Sequence, residues 1–141
     1  MAYWLFKSEP GAWSWDDQVK RGARGEPWNG VRNYQANNNM KAMKKGDLGF
    51  FYHSVDEKRI VGIVRIIREH YPDDTDDTGR FGMVAVEAVQ PLPKPVTLAD
   101  IKAEPALQGM ALIKQSRLSV CPVSASEWQR ICRMGDLVPA P

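Results

Sequence analysis

Four short stretches of this 141-residue chain hold the side chains best suited to chemistry: Lys7-Ser8-Glu9-Pro10, Trp28-Asn29-Gly30-Val31-Arg32-Asn33-Tyr34-Gln35, Phe51-Tyr52-His53-Ser54 and Gln115-Ser116-Arg117-Leu118-Ser119. Together they supply aromatic faces (Trp28, Tyr52), amides (Asn29, Asn33, Gln115), hydroxyls (Ser8, Ser54, Ser116) and cations (Lys7, Arg32, Arg117). Those are the parts needed to stack a nucleobase and read its edge. Arg32-Asn33, at an expected helix start, also suits a phosphate, because the first backbone N–H groups of a helix are free and its dipole favours an anion. Taken singly, each stretch is ordinary capping and turn chemistry, with Trp28 and Tyr52 in the core. Taken together, they exceed what capping needs.

The patterns of catalysis and metal binding are absent. The chain has two histidines, and no Gly-x-Ser-x-Gly elbow, His-Glu-x-x-His helix or P-loop is present. His53 and Ser54 are adjacent strand residues that point to opposite faces, so they make a poor base and nucleophile. The acidic run Asp73-Asp74-Thr75-Asp76-Asp77 lacks the EF-hand spacing and is expected to be a solvated loop. Cys121 and Cys132 have no partner pair at ligand spacing and read as buried reduced thiols. No catalytic residue, metal or cofactor is expected.

The elements that must position the four stretches are legible from periodicity and punctuation. Tyr3 to Lys7 reads as a strand ended by Pro10-Gly11. Ser14 with Asp17 forms a capping box for a helix from Trp15 to about Arg21, stopped at Gly22. A second helix runs from Asn33 to Lys45, with apolar Ala36, Met40 and Met43 on one face and Asn33, Asn37, Lys41 and Lys44 on the other. Asparagine is a poor helix former, so that polar line has another purpose. We expect Lys41, Lys44 and Lys45 to contact phosphates, and Asn33 and Gln115 to contact base edges.

Asp47 to Ser54 and Arg59 to Arg68 form an antiparallel hairpin, and Gly62 marks a bulge or a close approach. Phe81 to Gln90 is a strand broken by Pro91-Leu92-Pro93-Lys94-Pro95. Short helical turns follow at Thr97 to Ala103 and from Pro105. A strand at Leu118 to Val123 and a helix capped by Ser124 and Glu127, ending at Gly135, close the chain. Strands spread over the whole length with short helices between them predict an α+β fold or small barrel in one domain, residues 1–141.

The composition, with 43% hydrophobic and 26% charged residues, is that of an ordinary globular protein. The net charge of +2 and pI of 8.6 lean only weakly towards nucleic acid. The longest apolar stretch, Ile60 to Ile67, is interrupted by Arg65, whereas a membrane span needs about 20 apolar residues. The run Ala2 to Lys7 is too short for a signal-peptide core and has no basic region before it, so export is not expected. A soluble protein without membrane contact is expected, cytoplasmic or, in a eukaryote, nuclear.

Tyr-Trp-Leu-Phe-Lys-Ser-Glu-Pro at 3 to 10, Gly-Val-Arg-Asn-Tyr-Gln-Ala at 30 to 36, Asn-Asn-Met at 38 to 40, Gly-Asp-Leu at 46 to 48, Phe-Tyr-His-Ser at 51 to 54 and Gln-Ser-Arg-Leu-Ser-Val at 115 to 120 closely resemble the EVE domain of the thymocyte nuclear protein 1 family. The resemblance runs from Ala2 to about Gly135. It implies a PUA-like mixed β-barrel flanked by short helices, related to the YTH domains that cage a methylated adenine. It also implies a DNA or RNA partner with a modified base, such as methylated or hydroxymethylated cytosine. The implied base pocket is Lys7, Ser8, Trp28, Arg32, Asn33, Tyr52, His53, Ser54, Gln115, Ser116 and Arg117. Asn29 departs from the acidic residue that the family commonly places after this tryptophan; where that carboxylate reads a base amino group, an amide changes the preference. The alternative comes from ASCH domains, PUA-like relatives that include small amidohydrolases of acylated nucleosides using a lysine, a hydroxyl and a glutamate. Lys7, Ser8 and Glu9 offer those types in a row.

Overall fold

The computed structural model of the chain describes residues 1–141. Six strands form one mixed sheet: β1 (Tyr3–Ser8), β2 (Glu26–Pro27), β3 (Leu48–His53), β4 (Arg59–Pro72), β5 (Gly82–Thr97) and β6 (Val120–Val123), in the spatial order β2-β5-β4-β3-β1-β6. β1 and β3 run parallel, and every other neighbouring pair is antiparallel. Five short helices pack around the sheet: α1 (Trp15–Arg21), α2 (Tyr34–Ala42), α3 (Leu98–Ala103), α4 (Ala111–Lys114) and α5 (Ala125–Met134). The architecture is the expected α+β, PUA-like arrangement. One correction concerns closure: β2 and β6 do not pair with each other, so the sheet is barrel-like but open.

Hydrophobic burial explains the layers. All six residues of β3 are buried, which requires cover on both faces of the sheet. On one side α5 lays Trp128 between Tyr3 and Phe50, with stacked ring centroids 4.5 and 4.0 Å apart. Both cysteines are free and buried, and burial pushes their thiols up to about 11, so they stay protonated and unreactive at neutral pH. No helix is long and apolar enough to cross a membrane.

Capping boxes stand where the sequence puts them, at Ser14/Asp17 and Ser124/Glu127. Three boundaries differ. The second helix ends at Ala42 rather than Lys45, because the buried Asp47 carboxylate takes the N–H of Lys44 and turns the chain out of the helix. The same carboxylate accepts from the Trp4 indole N–H and the Ala2 N–H, tying the starts of β1 and β3 together. β4 runs four residues past the expected end at Arg68, paired with β5 as far as Pro72. β5 continues through Pro91, Pro93 and Pro95 instead of breaking there. Pro91 pairs with Gly62, but the register then jumps to Ile60 opposite Val96, so Pro93 and Pro95 fall in a bulge without partners in β4, and β2 covers only Ala85 and Val86 on the other side; no ladder N–H is demanded of them.

Gly62 fulfils both expectations. The β4–β5 register shifts between Ile60 and Gly62, and a Cβ at Gly62 would sit 2.5 Å from the Trp15 ring. Trp15 in turn meets Phe51 edge to face at 5.4 Å. Gly62→Ala must therefore displace a large ring in a packed layer, and we expect a loss of about 1–3 kcal/mol. Urea denaturation monitored by tryptophan fluorescence checks this, and an unchanged midpoint would show that the ring moves freely.

Candidate functional site

Because β1 and β3 are parallel, their C-terminal ends emerge on the same side, with Lys7 beside Tyr52 and Ser8 beside His53. Ser54 donates its N–H to the Ser8 carbonyl, and Lys7 donates its N–H to the Ser119 carbonyl. This draws three of the four sequence stretches together. The fourth, from Trp28, arrives by way of β2. The Trp28 N–H donates to the Val84 carbonyl of β5 at 2.7 Å.

Between these ends lies a depression of about 520 Å³ lined by Lys7, Ser8, Glu9, Trp13, Trp28 and Asn29, with Ala12, Glu26, Pro27 and Gly30 completing the rim. Trp28 is a wall and also a core residue, meeting Phe6 and Phe51 edge to face at 5.2 and 5.7 Å. Trp13 is the other aromatic wall. Its indole N–H donates to Gln18 Oε1 at 3.0 Å, and fully buried Gln18 donates through Nε2 to the Val86 carbonyl at 3.1 Å. The Ser8 hydroxyl donates to the Trp13 carbonyl. Both tryptophans are thus hung on β5, two residues apart.

The far rim is fixed by Asp73, which accepts from the Gly30 N–H at 2.8 Å, from Arg32 at 3.1 Å and from Thr75. This corrects the reading of the acidic run as a solvated loop, since Asp73 is buried and holds the Gly30 turn. Burial by itself would raise its pKa. The Thr75 hydroxyl, the Gly30 and Thr75 N–H groups and Arg32 outweigh that effect and hold the carboxyl below its usual range. In the same loop the Thr78 hydroxyl, with the Thr78 and Phe81 N–H groups, holds Asp76 at about 2.

Two smaller depressions follow, the first sharing Lys7 with the largest and the second sharing Ser116 with the first. One, of about 290 Å³, is lined by Lys7, Tyr52, Ser54, Val55, Lys58, Leu98, Lys102, Leu112 and Ser116. The other, of about 330 Å³, is lined by Asn33, Gln35, Lys114, Gln115, Ser116, Arg117 and Leu118. The ridge between them is the 2.8 Å hydrogen bond from Lys7 Nζ to the Ser116 carbonyl. Burial lowers the Lys7 pKa and raises that of Tyr52, whose phenol stays protonated.

The expected pocket residues are therefore divided. Lys7, Ser8, Trp28 and Asn29 meet in the largest depression, Tyr52 and Ser54 in the second, and Asn33, Gln115, Ser116 and Arg117 in the third. His53 lines none of them. Its Nε2 accepts from the Trp15 N–H and its Nδ1 faces Glu57, so it anchors α1. Arg32 turns to Asp73 and Thr75. Asn33 caps α2 through its side-chain oxygen, and Asn37 is buried on the Gly82 N–H and His70. The polar line on this helix is thus largely structural. Lys44 and Lys45 flank Asp47 at the N-terminal end of β3, about 17 Å from the depressions at 3.3 Å per residue. Lys41 precedes them in the last turn of α2.

Sequence reasoning missed Trp13, Lys58, Lys102 and Lys114. A signal existed for Trp13: a tryptophan in the loop after Pro10-Gly11, ahead of a helix cap, stands where a platform is needed. The Lys7, Ser8 and Glu9 triplet does share a depression, because β1 ends at Ser8 and alternation lapses there. No hydrogen bond joins the three; Ser8 donates to Trp13 and Lys7 to Ser116.

A family model described as the EVE domain matches residues 2–134. Human thymocyte nuclear protein 1 is 32% identical over 171 aligned residues, which take in 99% of this chain and 76% of that protein. A crystal structure of a protein from Agrobacterium tumefaciens superposes with a TM-score of 0.97 at 49% identity, over 100% of this chain and 97% of that one. A crystal structure of human THYN1 protein in complex with DNA containing 5-methylcytosine superposes with a TM-score of 0.89 at 32% identity, over 99% of this chain and 100% of that one.

The depressed Asp73 and Asp76 carboxyls set an acid limit. Unfolding returns both to ordinary values, so between about pH 4 and pH 2 the unfolded chain binds more protons and stability falls with acid. Asp73→Asn is expected to lose about 1.5–3 kcal/mol at neutral pH, the worth of hydrogen bonds to a charged group, and to approach the parent protein as the pH falls. Denaturant midpoints measured across that range check the convergence, and parallel curves would remove Asp73 as the source.

Proposed function

This chain belongs to the EVE domain family, and we propose that it binds nucleic acid carrying a modified base of the methylated or hydroxymethylated cytosine type, taking that base between Trp13 and Trp28. The observation that carries the reading is a pair of tryptophans lining one depression with polar groups around it, Trp13 tied to β5 through Gln18 and Trp28 by its main-chain N–H. Its volume lies within the range of about 300–1,000 Å³ usual for small-molecule sites. Aromatic stacking is worth about 1–3 kcal/mol per base and tolerates any base, so the edge groups must supply the preference. Glu9 and Asn29 offer acceptors for an exocyclic amino group, and Asn29 also offers a donor for a carbonyl. Glu9 brings to the depression the carboxylate that Asn29 lacks. The human relative solved with 5-methylcytosine DNA shares the fold over the whole chain, which supports the choice of ligand class.

A base inside a duplex cannot reach such a depression, so the nucleotide is extruded or arrives single-stranded. The reading is one of holding without turnover. Hydrolysis needs a nucleophile and base in mutual reach, whereas the Ser8 proton is committed to a main-chain carbonyl.

Trp13 is the position to test, because Trp28 also fills the core and its loss would confound folding with binding. We expect the parent protein to prefer an oligonucleotide with 5-methylcytosine over its unmodified twin, and Trp13→Ala to weaken that binding about tenfold while remaining folded at the assay temperature, with a melting curve lowered by the loss of the donor to buried Gln18. Fluorescence anisotropy reads both. Unaltered affinity in folded Trp13→Ala would take the base out of this depression. Acetate released from N4-acetylcytidine by the parent but not by Lys7→Ala would replace the binding reading with the amidohydrolase one.

A further inference from the structure

The depression beside the base site is built for an anion rather than for a base. Three lysines, Lys7, Lys58 and Lys102, line it together with Tyr52 and Ser54. None of the three lysines has a carboxylate within 4 Å; the ion pairs of this chain engage other cations. The nearest acidic residues of the same turn are Asp56 and Glu57. They line a separate hollow with Lys58 and Lys102, where Glu57 is already shared by His53 and Arg59. Like charges gathered around one hollow repel each other, and an anion seated among them offsets that repulsion.

The backbone carries a second sign of function. The turn between β3 and β4 holds Val55 at φ 71° and Lys58 at φ 49°, in the left-handed region that a β-branched valine avoids. Several contacts keep it there: Ser54 N–H to the Ser8 carbonyl, the Leu98 N–H to the Lys58 carbonyl, and Glu57 on His53. Strain maintained in this way is a mark of functional sites. Here the strained turn places Lys58 and the exposed Val55 on the rim of the hollow.

We propose that the hollow among Lys7, Lys58 and Lys102 seats a backbone phosphate of the nucleic acid, next to the nucleotide whose base enters between Trp13 and Trp28. The inference rests on the base-binding reading for its partner. Lys7 lines both hollows, so the phosphate and the base sit on either side of one side chain. Its ammonium has three donors and spends one on the Ser116 carbonyl, leaving two to turn either way. Tyr52 donates its phenolic proton, and Val55 offers an apolar contact to the sugar. Beyond the Ser116 ridge, Lys114 and Arg117 line the next hollow and continue the cationic track. This end of the sheet, rather than the distant Lys44-Lys45 turn, carries the phosphates nearest the base.

The test is a salt series with the double variant Lys58→Ala/Lys102→Ala and three oligonucleotides that differ at one position: 5-methylcytosine, cytosine and an abasic site. Both lysines are exposed, and thermal denaturation confirms that the variant folds. The variant is expected to lose affinity for all three ligands by the same factor, and its dependence of log affinity on log salt flattens by about one, the signature of one phosphate contact. Lys58→Arg/Lys102→Arg should restore the slope. An unchanged slope and affinity in the alanine variant would overturn the phosphate seat, as would a loss confined to the methylated ligand, which would make these lysines readers of the base. If the parent protein shows no preference for 5-methylcytosine, the base reading fails instead, while the slope still reports on the phosphate.

Discussion

Two parallel strands cannot be joined by a tight turn, and the pairing of β1 with β3 therefore forces a long crossover from Glu9 to Asp47. That crossover carries α1, β2 and α2, and with them Trp13, Gln18, Trp28 and Asn33. It must leave from one end of the central pair and come back to the other. The side chains near its start thus collect beside Ser8, and those near its finish collect beside Asp47. The candidate base site is built at the first end. The buried carboxylate of Asp47 closes the second, gathering Ala2, Trp4 and Lys44 on one group.

The crossover is held in place by polar groups inside the protein as much as by apolar packing. Gln18 relays from Trp13 to β5, His53 receives the N–H of Trp15, Asn37 receives that of Gly82, and Asp73 that of Gly30. Every buried side-chain nitrogen and oxygen has a partner. Such groups are costly to leave unpaired, typically about 1–3 kcal/mol each, so each of them selects one position for the loop it holds. In the proposed stacking site this matters directly, because the main chain of Trp28 is tied to Val84 and the indole of Trp13, through Gln18, to Val86.

The fold was largely readable from the sequence because its signals are local. Capping boxes at Ser14 and Ser124, the Pro10-Gly11 stop after β1 and the hairpin around Val55 depend on neighbours within a few residues. What escaped reading depends on distant partners. The helix ending at Ala42 answers to Asp47, the prolines of β5 are tolerated because pairing with β4 lapses between Pro91 and Val96 and β2 stops after two residues, and Asp73 is held by Gly30, forty-three positions away. The site divides in the same way. The residues of the four stretches do converge on one end of the sheet, but into three hollows rather than one. Arg32 and His53 also make internal contacts, to Asp73 and Thr75 and to Trp15 and Glu57, that their side-chain types do not announce. Lys58 and Lys102 lie outside any stretch that looked chemical, and only the strand ends bring them to Lys7.

The proposed binding mode singles out two indoles among the five tryptophans in the chain. The indole N–H resonances of a ¹⁵N-labelled sample separate those five during titration with an oligonucleotide containing 5-methylcytosine. Trp4 and Trp128 donate to Asp47 and to the Pro141 carbonyl, away from the depression, and should stay unmoved. Trp13 and Trp28 should shift together along one saturation curve. Shifts confined to backbone amides around Lys44 and Lys45, with both of those indoles unmoved, would contradict the claim.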